Sequence, residues 1–217
     1  MTDGLKEVAI HSLKEIAELV YLLEFERDFP FEAGQIIKLA WPGDEKIRLY
    51  SIASGEQQPL VQILFNVVGD GRLTPLLARL KPGDKILASG PLGKFKGTEG
   101  PAWWIAQGTG IAPFASMFRS GQTENKTLVH GGRTLNSFYY RDEFEPLLGS
   151  QYIRCCSREA DETSFRGRVT DYLNSLESLP ADPLYYLCGS SEMVVETRDI
   201  LISKGVPFGK IVSEIYF

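Results

Sequence analysis

From Pro101 to the C-terminus the chain alternates short β-rich runs with helical patterns, and this alternation restricts the fold more than any single motif does. The runs are "AWWIA", "KTLVHG", "QYIRCC", "LYYLCG" and "GKIVSEIYF", with helical stretches such as "RVTDYLNSL" and "EMVVETRDILISKG" between them. Strand and helix in turn at this interval make right-handed βαβ units and a parallel sheet. The N-terminal half has a different grammar. "GQIIKLAWPGDEKIRLYSIASG", "LVQILFNVVGDGR" and "KPGDKILASGPLG" are β segments broken by Pro-Gly and Gly-Asp pairs, as in the hairpins of a small antiparallel barrel or sandwich. The boundary falls in the Gly- and Pro-rich segment Gly93–Pro101, giving domains 1–97 and 98–217. One stretch resists this pattern: taken alone, "HSLKEIAELVYLLEFE" has the near-helical apolar spacing and the residue types of a helix.

Bulk properties narrow the partners. A net charge of -5 gives no reason to expect nucleic acid, which needs clustered Lys and Arg on one face. No apolar run approaches the roughly 20 residues needed to cross a bilayer. The N-terminal "MTDGLKEVAI" has no basic segment followed by a long apolar core, so the expectation is a cytoplasmic protein without membrane insertion. Of the three cysteines, Cys155 and Cys156 are neighbours on a strand and point to opposite faces, which suits buried filler better than a disulfide or metal pair. His11 and His130 are isolated, and no metal site is assigned.

Behind "AWWIA" comes "QGTGIAPF". Gly108 and Gly110 allow a tight turn and close backbone approach to a ligand, and Pro113 suits the first turn of a helix. Free N–H groups at such a helix start favour an anion such as a pyrophosphate. The strand after this loop decides which nucleotide fits. An NAD site places a carboxylate there for the ribose hydroxyls, whereas NADP needs a cation for its 2'-phosphate. Here "LVHGGRT" offers Arg133 and no acid, "CSRE" adds Arg158, and "SFRGRV" adds Arg166 and Arg168 ahead of a helix. In the other half, "RLYS" (Arg48, Leu49, Tyr50, Ser51) supplies a cation, an aromatic ring and a hydroxyl, the set a flavin site requires.

Together "RLYSIAS", "GDGRLTPLLARLKPGDKI", "GPLGKF", "GTGIAPF", "HGGRT", "CSRE", "LCGSSEMV" and "SEIYF" resemble the ferredoxin/flavodoxin–NADP reductase family, most closely its bacterial branch, in order from about Ile36 to Phe217. The resemblance implies a two-domain fold: an N-terminal antiparallel FAD-binding β-barrel and a C-terminal α/β parallel-sheet domain for NADP(H). It also implies barrel strands, not a helix, over residues 7–26. On this resemblance Arg48 meets the FAD pyrophosphate, Tyr50 stacks on the isoalloxazine and Ser51 lies near its N5. Gly71, Arg72, Leu73 and Thr74 form a second pyrophosphate contact at a helix N-terminus. Gly108, Thr109 and Gly110 face the NADP pyrophosphate and the flavin, while Arg133, Arg158 and Arg168 take the 2'-phosphate, with Arg166 the alternative to Arg168. Cys188 and Glu214 lie beside the nicotinamide. Tyr216 covers the flavin and Phe217 stacks on the adenine, where the branch often has Trp.

The activity implied is hydride transfer between NADPH and FAD, followed by single-electron transfer to a separate ferredoxin or flavodoxin, because the chain has no cysteine set for an iron–sulfur cluster. Between Arg72 and Lys96, Arg72, Arg79, Lys81, Lys85, Lys94 and Lys96 face a lone Asp84, a candidate docking patch for an acidic partner. A monomer is expected. Two other readings differ in what they require. A reductase component of an oxygenase prefers NADH, and a non-catalytic binding module takes up no flavin.

Overall fold

The computed structural model describes residues 4–44, 46–159 and 161–216, with backbone alone at Tyr216. The chain forms two compact units. One consists of the residues up to Gly97 together with Ala112–Ser120, the other of Thr98–Ile111 and the residues from Gly121 on.

In the first unit six strands form an antiparallel sheet: β1 (Leu5–Ala17), β2 (Val20–Glu26), β3 (Ile36–Ala40), β4 (Arg48–Ser51), β5 (Leu60–Asn66) and β6 (Lys85–Ser89), in the order β4-β3-β6-β1-β2-β5. The two outer strands meet just past β4, where Ile52 bridges Ile63 and the Ala53 N–H donates to the Gln62 carbonyl at 2.8 Å, closing the sheet into a barrel. Closure removes the open edges that would otherwise pair with other chains. Leu23, Phe25, Ile37, Leu39, Ile63, Phe65 and Ile86 fill the interior. A single-turn helix α1 (Thr74–Leu77) follows β5, and helix α2 (Ala112–Arg119) belongs to this unit although it follows the glycine turn in sequence. Two contacts fasten α2: Ser116 Oγ donates to the Ser54 carbonyl at 2.7 Å, and Arg119 Nη1 donates to the Ala53 carbonyl at 2.9 Å.

Residues 7–26 are strands, so the helical periodicity of "HSLKEIAELVYLLEFE" misleads. The cause lies in the pairing of β1 with β2, whose register slips between Ile10 and Ser12 and again between Glu15 and Ala17. Each slip shifts the inside–outside alternation by one residue, so the apolar positions lose their period of two and mimic a helix. Leu19, at φ 59°, then makes the turn into β2.

In the second unit all strands run parallel: β7 (Ala102–Gln107), β8 (Lys126–Gly132), β9 (Tyr152–Cys156), β10 (Phe165–Arg166), β11 (Leu184–Ser190) and β12 (Ile211–Tyr216), in the order β10-β9-β8-β7-β11-β12. Helices α3 (Arg141–Leu148), α4 (Val169–Ser175) and α5 (Ser191–Ser203) lie in the connections. One face of the sheet packs Ile105, Val129, Cys155 and Leu187 against Val169 and Leu173 of α4 and Val194 and Leu201 of α5. At the opposite end from the strand termini, the buried Lys126 ammonium donates to the carbonyls of Gly100 and Glu124 at 2.8 and 2.9 Å, binding the start of the unit together.

Candidate functional site

All six parallel strands end on one edge of the second unit. β8, β9 and β10 lie on one side of β7, whereas β11 and β12 lie on the other. The strand order therefore reverses at β7, the place where open α/β sheets bind ligands. Gln107 ends β7 and Gly108, with φ +55° and open space around its α-carbon, begins the turn. Residues Gly108–Ile111 make one 3-10 turn and Pro113 stands in the first turn of α2. Gly110 is a glycine for lack of room, since a Cβ there would lie 2.3 Å from the Cys188 carbonyl oxygen and 2.9 Å from Gly189 Cα. Ser190 closes the same junction: its hydroxyl donates to Gln107 Oε1 at 2.9 Å and accepts from the Met193 N–H that opens α5. The turn is thus seated directly against the end of β11. Cys188, fully buried, pairs in register with Ala106 of β7 and Glu214 of β12, so the three strand ends lie side by side.

The arginines continue this edge in the other direction. Arg133 follows β8, Arg158 follows β9, Arg166 ends β10 and Arg168 precedes α4, all of them exposed. The Arg158 N–H donates to the Arg133 carbonyl at 3.0 Å, which makes the first two direct neighbours. Arg168 lies 3.9 Å from Glu192, an exposed pair of the kind that contributes little. Among the described residues Arg133 and Arg158 have no carboxylate at ion-pair distance. Tyr216 pairs in register with Ser190 at the end of β12, and Phe217 lies outside the described residues.

Behind this edge lies a polar cluster around His130, which stands isolated in the sequence. His130 is fully buried, with Nδ1 3.0 Å from the Tyr152 hydroxyl and its ring edge-on to Phe138 at 5.3 Å. Burial pushes its imidazole down to about 3, the Gly108 backbone opposes the shift and Arg154 adds to it, so the ring is neutral. Arg154, its register partner on β9, is 2% exposed, and its guanidinium meets Asp161 at 3.3 Å, Glu145 at 3.8 Å, the Thr163 hydroxyl and the Phe138 ring. A charged residue at an inward position of the apolar run "QYIRCC" was the available signal.

In the first unit Arg48 and Leu49 are exposed on β4, Tyr50 is half-buried and Ser51 is buried. Arg48 donates to the Ile47 carbonyl at 3.0 Å, and the Tyr50 ring meets Phe65 edge-on at 6.5 Å. Burial raises the Tyr50 phenol to about 12 against the pull of Arg48, so it stays a neutral donor. Gly71 is held tight: its N–H donates to the Val68 carbonyl at 2.8 Å, and a Cβ would come within 2.9 Å of that oxygen. Arg72 is exposed and Leu73 buried, while the Thr74 hydroxyl accepts from the Val68 N–H at 3.0 Å and so braces the loop ahead of the single turn of α1. Of the basic residues between Arg72 and Lys96, Lys85 pairs with Glu7 and Lys96 with Glu32. Among the described residues Arg72, Arg79, Lys81 and Lys94 have no carboxylate partner.

Residues 9–96 match the model of the oxidoreductase FAD-binding domain and residues 104–199 that of the oxidoreductase NAD-binding domain. The ferredoxin–NADP reductase B of Sorangium cellulosum is 33% identical over 93% of each chain, and the flavodoxin/ferredoxin–NADP reductase of Escherichia coli is 32% identical over 78% of each. The chain belongs to the ferredoxin/flavodoxin–NADP reductase family. A reductase of this kind from Neisseria gonorrhoeae, whose crystal structure holds FAD and NADP, shares the fold with a TM-score of 0.89 at 22% identity and 99% coverage of both chains. The reductase component of propane 2-monooxygenase from Rhodococcus jostii is 30% identical over 82% of this chain, which spans 54% of that longer protein. The residues present suit this family's two cofactors. The exposed Arg48 beside a neutral aromatic on the barrel fits a flavin and its phosphates, and the exposed guanidiniums beside the Gly108 turn fit a phosphorylated dinucleotide.

Proposed function

We propose that the chain is an FAD-dependent ferredoxin/flavodoxin–NADP+ reductase that moves hydride between NADPH and FAD and single electrons between FAD and a separate ferredoxin or flavodoxin. FAD supplies the change from two-electron to one-electron chemistry. Residues 1–97 serve as the FAD-binding domain and 98–217 as the NADP-binding domain. Arg48 binds the FAD pyrophosphate, Tyr50 stacks on the ring, Ser51 fixes it by hydrogen bonding, and Gly71–Thr74 close on the phosphates through backbone N–H groups and Arg72. Gly108, Thr109 and Gly110 hold the NADP pyrophosphate, and Arg133, Arg158 and Arg168 bind the 2'-phosphate. Cys188 and Glu214 orient the nicotinamide, Tyr216 shields the flavin until nicotinamide replaces it, and Phe217 packs on the adenine. These residues bind and align; none has to move a proton, and the gain in rate comes from orientation. Arg72, Arg79, Lys81 and Lys94 steer an acidic electron partner to the first unit. In this reading the protein works as a monomer in the cytoplasm.

The observation that carries the reading is the row of exposed guanidiniums after β8, β9 and β10, with no acid at the end of β8. The test is anaerobic titration of the yellow protein with NADPH and NADH, followed by turnover with ferredoxin, flavodoxin and a dye. NADPH should be preferred. Arg133→Ala should raise the apparent KM for NADPH about 10-fold or more and leave that for NADH nearly unchanged. Equal effects on both would remove the 2'-phosphate role. The likeness to the propane monooxygenase reductase component favours one second reading, an oxygenase reductase, and a preference for NADH would select it.

A further inference from the structure

The connection from β9 to β10 is unusual for parallel strands. Phe165 and Arg166 pair with Cys155 and Cys156, the last residues of β9 itself, so the chain leaves the sheet at Ser157, turns back and returns in the same direction within residues 157–164. A parallel crossover normally takes a dozen or more residues and a helix that packs on the sheet. Among its described residues this one has no helix and no buried apolar side chain. Arg158 lies on its outgoing leg, and its end delivers Arg166 and Arg168. Whatever fixes this excursion fixes those three cations.

The outgoing leg is tied to the end of β8 and the residues that follow it: the Ser157 N–H donates to the Gly132 carbonyl and the Arg158 N–H to the Arg133 carbonyl, each at 3.0 Å, and the Glu159 carboxylate accepts from the Leu135 N–H at 3.1 Å. The returning leg is built on Asp161, which accepts from the Thr163 N–H at 3.0 Å and receives a bond from its hydroxyl at 3.0 Å. Among the described residues, the side-chain hydrogen bonds that join this turn to the rest of the unit come from Arg154. Arg154 Nη1 reaches Asp161 and its Nη2 reaches Thr163 Oγ1, with Glu145 of α3 3.8 Å from Nη2 and the guanidinium carbon 5.5 Å from the centre of the Phe138 ring. A guanidinium this deeply buried has no freedom to follow the loop, so the loop follows it.

We propose that Arg154 is the positioning residue of the nucleotide-phosphate arm: without touching the ligand, its guanidinium pins the Asp161–Thr163 turn, and through it places Arg158 and Arg168 for the 2'-phosphate. The inference rests on the reading that these arginines bind that phosphate. It makes discrimination between NADPH and NADH depend on a residue that neither nucleotide contacts.

The test measures steady-state constants for NADPH and NADH, and inhibition by 2'-phospho-AMP and by AMP, in the FAD-loaded enzyme and in Arg154→Met, Thr163→Val and Arg158→Ala. Arg154→Met should raise the KM for NADPH and the inhibition constant of 2'-phospho-AMP about 10-fold. The NADH and AMP constants should move less than about twofold, with kcat retained. Thr163→Val removes one contact without stranding a buried charge, and it should show the same selectivity at about threefold; it carries the test if Arg154→Met does not fold. A merely structural role would lower thermal stability and degrade both nucleotides together, leaving the ratio of the constants unchanged. Arg158→Ala separates the two levels. If it leaves the NADPH to NADH ratio unchanged, the phosphate reading itself fails. If it lowers the ratio while Thr163→Val and any folded Arg154→Met do not, the inference on Arg154 is overturned and the phosphate reading stands.

Discussion

His130 makes the stability of the parallel-sheet unit depend on pH. The ring is fully buried, and burial lowers its pKa to about 3, whereas in the unfolded chain it titrates at its ordinary value of 6.5. Between these values the unfolded chain binds a proton that the folded unit refuses. The stabilisation is therefore whole above pH 6.5 and is lost as pH falls from there toward 3. From pH 7 to pH 5 the loss comes to about 2 kcal/mol, equivalent to roughly 4–8 °C in Tm for a chain of this size. Carboxylates ordinarily titrate near 4, below most of that window. His130→Gln keeps an amide to meet the Tyr152 hydroxyl and removes the titration. Urea unfolding, followed by the emission of Trp103 and Trp104 in the same sheet, should show the wild type losing about 2 kcal/mol more than the variant between pH 7 and pH 5. Parallel pH profiles for the two proteins would refute the argument, as would an imidazole resonance of His130 titrating near its ordinary value.

Three further outcomes follow from local geometry. Gly110→Ala drives a Cβ into the backbone of Cys188 and Gly189, which cannot rotate away; it should cost about 1–3 kcal/mol of stability and weaken both nucleotides, readable by thermal melting and nucleotide titration. Arg48→Ala should weaken FAD binding about 10-fold or more, seen as a lower ratio of flavin to protein absorbance after gel filtration, with the fold intact by circular dichroism. Leu19→Gly relieves a left-handed residue that is 52% exposed, and should stabilise the barrel by about 0.5–1 kcal/mol in urea unfolding.

The two halves were legible because their patterns are strong. Near-continuous apolar runs such as "AWWIA" belong to strands covered on both faces, and the helical stretches between them leave a parallel sheet as the arrangement. β1 was illegible for a definite reason: its two register slips hide the alternation that a single sequence shows only when a strand is regular. Helix α3 leaves no clear helical signal because Pro146 stands inside it and Tyr140, at φ 60°, precedes it in a left-handed conformation. β10 is two residues long and carries no pattern at all. At the site, the exposed arginines could be read from "HGGRT", "CSRE" and "SFRGRV". Arg154 left one signal, a charge at an inward position of "QYIRCC", but its partners Asp161 and Thr163 could not be read, because those contacts exist only once the excursion has folded back.

The strand order brings residues scattered from Gly108 to Glu214 to one edge. In a parallel sheet every strand delivers its C-terminal end to the same edge, at spacings of about 4.8 Å, so the order β10-β9-β8-β7-β11-β12 becomes an order of chemical groups. Read along that edge they run from the Arg168, Arg158 and Arg133 cations, through the Gly108–Gly110 turn, to Cys188 and finally Glu214. The sequence is electrically polar. Arg168, Arg158 and Arg133 occupy one side of the reversal at β7, and Cys188 and Glu214 the other. In the proposed reading, an extended ligand with phosphate at one end and a ring that is cationic when oxidised at the other has one favourable direction along such an edge, because reversing it sets the ring against three guanidiniums. In that reading the glycine turn falls at the middle of the ligand, where a linking pyrophosphate needs N–H donors and close backbone approach rather than further charge.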